Sequence, residues 1–131
     1  MKIEHFAINV KDPLAMAAWY VANMGMTVVR KSDSAALTHF LGDNSGQVML
    51  EIYNNPPDQV PDYASMNPLL LHLAFVCENP NQKRAELENV GATFADEVHI
   101  KDGSHLVMMR DPWGLAIQLC KRGVPMSIRP R

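Results

Sequence analysis

The chain repeats itself at a single offset, and that repeat restricts its fold more than any local pattern does. His5 and His72, Pro13 and Pro80, and Glu51 and Gln118 each stand 67 residues apart. The surroundings match too. Ile3-Glu4-His5-Phe6-Ala7-Ile8 lies over Leu70-Leu71-His72-Leu73-Ala74-Phe75, and Val48-Met49-Leu50-Glu51-Ile52 over Leu115-Ala116-Ile117-Gln118-Leu119. Gly25-Met26-Thr27 matches Gly91-Ala92-Thr93 one residue out of phase, as a slightly shorter second helix would produce. An offset shared by strand, turn and helix signals means a duplicated supersecondary unit.

Each half reads as β-α-β-β-β. A strand rich in branched and aromatic residues comes first, Ile3 to Val10 and Leu70 to Cys77. Asp12-Pro13 and Asn79-Pro80 then set a capping side chain before a proline at the first helical position. Leu14, Ala17, Ala18 and Val21, and later Leu87 and Val90, are expected to face a core. Gly25 and Gly91 are placed to close the helices in the left-handed conformation. Strands are expected near Thr27 to Lys31, Ala36 to Leu41 and Gln47 to Tyr53, and again near Thr93 to Glu97, His105 to Met109 and Leu115 to Cys120. Module one thus covers about residues 1–53 and module two about 69–122. The stretch 54–68 holds four of the nine prolines and is expected to run extended as a linker; 123–131 is a basic tail. The fold class is α+β: two tandem βαβββ modules forming a cupped, barrel-like mixed sheet with helices on the outer face.

Composition narrows the partners. Twelve Lys+Arg against fourteen Asp+Glu leave a net charge of −2, with no basic stripe for nucleic acid. The longest apolar run, Leu69 to Cys77, is broken by His72 and falls far short of the roughly 20 residues that span a bilayer. Met1 to His5 leads straight into a strand, so no secretory leader is expected. Two cysteines without close spacing, Cys77 and Cys120, read as free thiols in a cytoplasmic protein.

Side chains alternate across a strand, and this places the polar residues. Phe6, Ile8 and Val10 should pack on the helix, leaving His5, Ala7 and Asn9 on the opposite face. Leu71, Leu73 and Phe75 should likewise pack, with His72, Ala74 and Val76 opposite. In the last strands Met49, Glu51 and Tyr53, and Gln118 with Ala116 and Cys120, take that second face. A lone histidine or glutamate there is ordinarily just partly solvated. The repeat gives the set meaning: two imidazoles, a carboxylate and an amide oxygen at symmetry-related positions make a mixed N/O set for a divalent metal. Asn9, Met49 and Tyr53 are the expected substrate wall.

Three motifs carry a family resemblance: Ile3-Glu4-His5-Phe6-Ala7 with Asp12-Pro13, then Leu71-His72-Leu73-Ala74-Phe75, then Asp111-Pro112-Trp113-Gly114 followed by Ile117-Gln118-Leu119. Over residues 1–122 the chain resembles the vicinal oxygen chelate superfamily. That group includes glyoxalase I, methylmalonyl-CoA epimerase, fosfomycin-resistance thiol transferases, extradiol dioxygenases and bleomycin-resistance proteins. The resemblance implies paired βαβββ modules, often in a homodimer, with metal ligands on first and last strands. It maps His5, His72 and Glu51 onto ligand positions, and Gln118 onto a position where many members carry glutamate. That glutamate usually moves the substrate proton, and an amide has no proton affinity for the task near neutral pH. Glu51 then serves as ligand and as catalytic base. His39, His99 and His105 are further candidate bases, each expected at the surface. Asn9 stands where glutathione-dependent glyoxalases use an arginine, which argues against that reaction.

The expected activity is a lyase, isomerase or oxygenase using Zn, Ni, Mn or Fe on a small oxygenated metabolite. The alternative is a metal-free module that binds a drug or metabolite, as bleomycin-resistance proteins do. A thiol transferase of the fosfomycin kind would need Arg110 and Lys101 to hold an anion.

Overall fold

The computed structural model describes residues 1–126 and divides the chain into two compact units, Met1–Pro61 and Asp62 onward. Residues 127–131, the end of the expected basic tail, lie outside the described residues. Each unit is a βαβββ module with its own mixed sheet, so the chain is α+β as expected.

In module one, β1 (His5–Asn9), α1 (Pro13–Met24), β2 (Thr27–Lys31), β3 (His39–Gly42) and β4 (Met49–Tyr53) follow in order. The sheet order is β1-β4-β3-β2, with β1 parallel to β4 and the other pairs antiparallel. The parallel pairing follows from the helical crossover, whereas the later strands join through short turns. Asp12 caps α1 by accepting from Ala15 N at 3.1 Å, and Gly25 closes it at φ +68°. The core sits between α1 and the sheet: Met16, Ala17 and Tyr20 against Leu41, Leu50 and Ile52.

That helical stripe differs from the expected one. Leu14 (61% exposed), Ala18 and Val21 lie outside the core, whereas Ala17 is buried as expected, together with Pro13, Met16 and Tyr20. The helix is apolar almost all round, so two stripes satisfy the same period and packing chose between them. Phe6 also stays 54% exposed, because it lies on the edge strand of the sheet.

Module two repeats the plan with β5 (Leu73–Val76), α2 (Pro80–Glu88), β6 (Thr93–His99), β7 (His105–Arg110) and β8 (Ala116–Lys121), in sheet order β5-β8-β7-β6. Asn79 caps α2 through Gln82 N at 3.1 Å, and Gly91 takes φ +100° beyond its end. Val107, Met109, Ile117 and Leu119 are buried under α2 with Leu87; Val90, expected to join them, is exposed.

The Asp111-Pro112-Trp113-Gly114 turn is dictated locally. Buried Asp111 accepts from Trp113 N at 2.9 Å and Leu115 N at 3.0 Å. Gly114 has φ +90°, and a Cβ there would meet Ala64 at 2.6 Å. Glycine is required twice over, by conformation and by space.

The proline-rich stretch does stay out of the sheets, yet it is not a plain extended linker. Residues 55–59 turn back onto module one, with a cis Asn55–Pro56 bond, and Tyr63–Ser65 form a short 3-10 helix in module two. Tyr63 is buried there, and Arg110 donates to the carbonyls of Tyr63 (2.9 Å), Met66 (2.7 Å) and Gly114 (3.0 Å). This corrects the reading of Arg110 as an anion holder, since the guanidinium satisfies backbone acceptors.

Candidate functional site

Register in module one decides which polar residues meet. Because β1 and β4 run parallel, His5 pairs with Met49, Ala7 with Glu51 and Asn9 with Tyr53, and all six take one face. The small Ala7 leaves room for Glu51 to reach back along the strand. His5 Nε2 lies 3.0 Å from Glu51 Oε2, both side chains only partly exposed. His5 Nδ1 lies 3.0 Å from Glu4 Oε1, and Phe40 packs edge-on against the imidazole at 5.5 Å. The result is an imidazole steered by a carboxylate at each nitrogen and braced by an aromatic ring. Sequence reasoning missed Glu4 and Phe40. Glu4 had only its adjacency to His5 to offer, and Phe40 is placed by its pairing with Glu51 across β3 and β4.

The corresponding residues of module two are arranged differently. His72 falls one residue before β5, outside the ladder, and its Nδ1 donates to the Pro68 carbonyl at 2.9 Å. That bond fixes the tautomer and leaves Nε2 as the nitrogen with a lone pair. Gln118 lies on β8 between Ala74 and Met108, and its Oε1 accepts from the Cys120 thiol at 3.3 Å. His72 and Gln118 are each bonded elsewhere, whereas His5 Nε2 and Glu51 Oε2 stand side by side at 3.0 Å.

Met49 and Tyr53 are half-buried on the face of Glu51. Asn9 donates to the Pro56 carbonyl at 2.8 Å and accepts from Asn55 N at 2.8 Å, so its amide secures the 55–59 turn. Of the extra histidines, only His99 is at the surface. His39 and His105 are buried, and His39 shares the face of Leu41 and Ile52, opposite Glu51. An imidazole suits that position because its Nδ1 donates to the Leu37 carbonyl at 2.6 Å.

Module two carries an open cleft of about 670 Å³ at the C-terminal ends of β5 and β8, lined by Ala74, Val76, Cys77, Cys120, Arg122 and Met126 among others. Burial pushes both thiols up from the ordinary cysteine range, so they are protonated apolar lining at neutral pH. Both cysteines are free, as expected.

A family model for the Glyoxalase/Bleomycin resistance protein/Dioxygenase superfamily matches residues 2–119. The chain belongs to this superfamily. Solved structures agree. A glyoxalase family protein from Enterococcus faecalis is 28% identical with a TM-score of 0.70, covering 92% of this chain and 97% of that one. A glyoxalase family protein from Bacillus cereus is 15% identical with a TM-score of 0.78, covering 93% and 94%. TnmS3, an antibiotic-binding protein from Streptomyces sp. CB03234, is 16% identical with a TM-score of 0.71, covering 93% and 96%. The latter two likenesses speak for the fold alone. No curated protein matches the chain in sequence. Superfamily members host many chemistries on this scaffold, so membership leaves the reaction to the site. Among the described residues no helix is long and apolar enough to cross a membrane.

Proposed function

We propose that this superfamily member is a divalent-metal-dependent lyase, isomerase or oxygenase acting on a small oxygenated metabolite. His5 and Glu51 hold the ion, and His72 and Gln118 are the corresponding donors of module two. The observation that carries this reading is the His5–Glu51 pair at 3.0 Å, an imidazole and a carboxylate brought onto one face by a parallel register. Imidazole nitrogens with one carboxylate and an amide oxygen fit a borderline divalent ion such as Zn²⁺, Ni²⁺, Mn²⁺ or Fe²⁺. Such an ion, when bound, supplies Lewis-acid polarisation of the substrate's oxygens.

The chain's own side chains do the remainder. Glu4 accepts at Nδ1 of His5 and so directs Nε2 toward Glu51, as outer-shell carboxylates do for metal-binding imidazoles. Glu51 Oε1, the oxygen not on His5, is the base that takes a proton from carbon beside a substrate oxygen. Met49 and Tyr53 wall the substrate, and Asn9 does so by fixing the 55–59 turn. The partners are the small-molecule substrate and a second copy of the chain, with no nucleic acid and no membrane; two free thiols suit the cytoplasm.

The test is metal content of the purified protein followed by calorimetric titration of wild type, His5→Ala and Glu51→Gln. Both variants are expected to lose at least about tenfold in affinity, the usual cost of disturbing a ligand shell. Metal-free protein and unchanged titrations would favour a second reading. In that reading the cleft of about 670 Å³ in module two, of ordinary ligand-pocket size, sequesters a small molecule without metal.

A further inference from the structure

A second cluster of donors lies on the β6–β7 hairpin. Glu97, His99 and His105 each offer one ligand atom, and these three atoms all lie within 4.8 Å of one another. His105 Nε2 is 2.9 Å from Glu97 Oε2, and His99 Nε2 is 3.8 Å from the same oxygen. Three protein ligands on a tetrahedral zinc ion, with bonds of about 2.0–2.2 Å, stand roughly 3.3 Å apart. The two separations from Glu97 Oε2 lie on either side of that value.

The backbone explains how the three meet. His99 and His105 are directly opposed across the hairpin, and the Ile100 N–H to Ser104 carbonyl bond (2.9 Å) makes theirs the closely spaced kind of antiparallel pair. Their rings stack accordingly, with centroids 4.1 Å apart. Glu97 would point to the opposite face under simple alternation from Phe94, which lies opposite Met109 on the face that packs under α2. A bulge between Phe94 and Asp96 shifts the register by one, so Glu97 comes to lie opposite Val107 on the face of His105. Bulges that re-aim one side chain recur beside functional sites.

The cluster is also held unevenly, in a way that suits metal capture. His105 is nearly enclosed, with 11% of its side chain exposed, and fixes one donor. The loop beneath it is set by Asp102, which accepts from Ser104 N at 2.8 Å, and by Gly123 N donating to Ser104 Oγ at 2.9 Å. His99 is 70% exposed and free to turn its ring off the stack toward an ion. Within module two the cluster is separate from Gln118, which pairs with Met108 on the other face of the same sheet.

We propose that Glu97, His99 and His105 form a second divalent-metal site, selective for a borderline ion such as Zn²⁺ over Mg²⁺ or Ca²⁺, with positions left open for water or an exogenous ligand. Two imidazoles and a carboxylate are the donor set of three-ligand zinc sites and discriminate against hard cations.

The test titrates Co²⁺, a visible-absorbing stand-in for zinc, into the full chain carrying His5→Ala and His72→Ala, so that the first donor set is removed. One equivalent is expected to bind, displaceable by Zn²⁺ and not by Mg²⁺. Adding His99→Ala or Glu97→Gln, both exposed positions that leave the core untouched, should each lower that affinity at least about tenfold. Absence of Co²⁺ binding, or titrations that neither substitution changes, overturns the proposal without touching the His5–Glu51 reading.

Discussion

At the scale of single residues, Gln118 and Glu51 show how one position can separate two related modules. They occupy equivalent places on β8 and β4, each opposite an alanine of the parallel partner strand. One is a carboxylate on an imidazole, and the other an amide accepting a thiol. Gln118→Glu is expected to tighten Zn²⁺ or Ni²⁺ binding by about tenfold or more. A unit charge about 4 Å from a cation is worth up to about 4 kcal/mol at an effective dielectric of 20. Calorimetry with and without the substitution checks this. Flat affinity with a lowered melting temperature would make Gln118 a wall residue, since a charge confined without a partner costs stability. The His5–Glu51 pair was legible because strand period and repeat spacing put both on one face. The Glu4 and Phe40 contacts were not, since the first is a rotamer outcome and the second needs the β3–β4 register.

At the scale of elements, turns and caps were the most legible, because their chemistry is local. Asp12-Pro13 and Asn79-Pro80 cap their helices as read, and Gly25 closes the first. Gly114→Ala is expected to destabilise the chain by at least about 2 kcal/mol, from positive-φ strain together with a collision at Ala64. Ala64→Gly should not rescue it, because the Ala64 Cα and N are themselves within 2.7 Å of the new Cβ; urea melts of single and double variants decide.

The β6–β7 turn makes a prediction in pH. Hydrogen bonds from the Ser104 side chain and backbone N–H hold the Asp102 carboxyl below its ordinary range. A lowered folded-state value means that the folded protein binds this proton less readily than the unfolded chain. The contribution is therefore present above the unfolded value, about 3.9, and is lost as pH falls through the folded one. Asp102→Asn keeps an acceptor but no titration, so its stability deficit relative to wild type should shrink below about pH 4, measured by thermal melts across acid pH. What local reasoning could not supply at this scale was the β6 bulge, whose single extra residue reverses the facing of Glu97 and His99.

At the scale of the molecule, bound metal should appear as stability. A ligand at 100 times its Kd adds about 2.7 kcal/mol to the folded state. For a chain of 131 residues this corresponds to a rise in melting temperature of roughly 8–13 °C. Differential scanning calorimetry with saturating Zn²⁺ is expected to show the rise in wild type and a smaller one in Glu51→Gln. An equal rise in both would locate the stabilising ion away from Glu51.

The sequence by itself determined the duplication, the βαβββ order of each half, the helix caps, the Asp111–Gly114 turn and the face shared by His5 and Glu51. All of these follow from spacing, period and turn chemistry, which act over a few residues or are copied at a fixed offset. Tertiary structure alone decided which stripe of the apolar α1 helix is buried, that Arg110 binds carbonyls of the 63–66 segment, and that His72 bonds Pro68 outside its strand. It also decided that a register shift gathers Glu97, His99 and His105. Each of these depends on which of several locally equivalent partners comes into contact once the sheets form, and no short-range pattern encodes that choice.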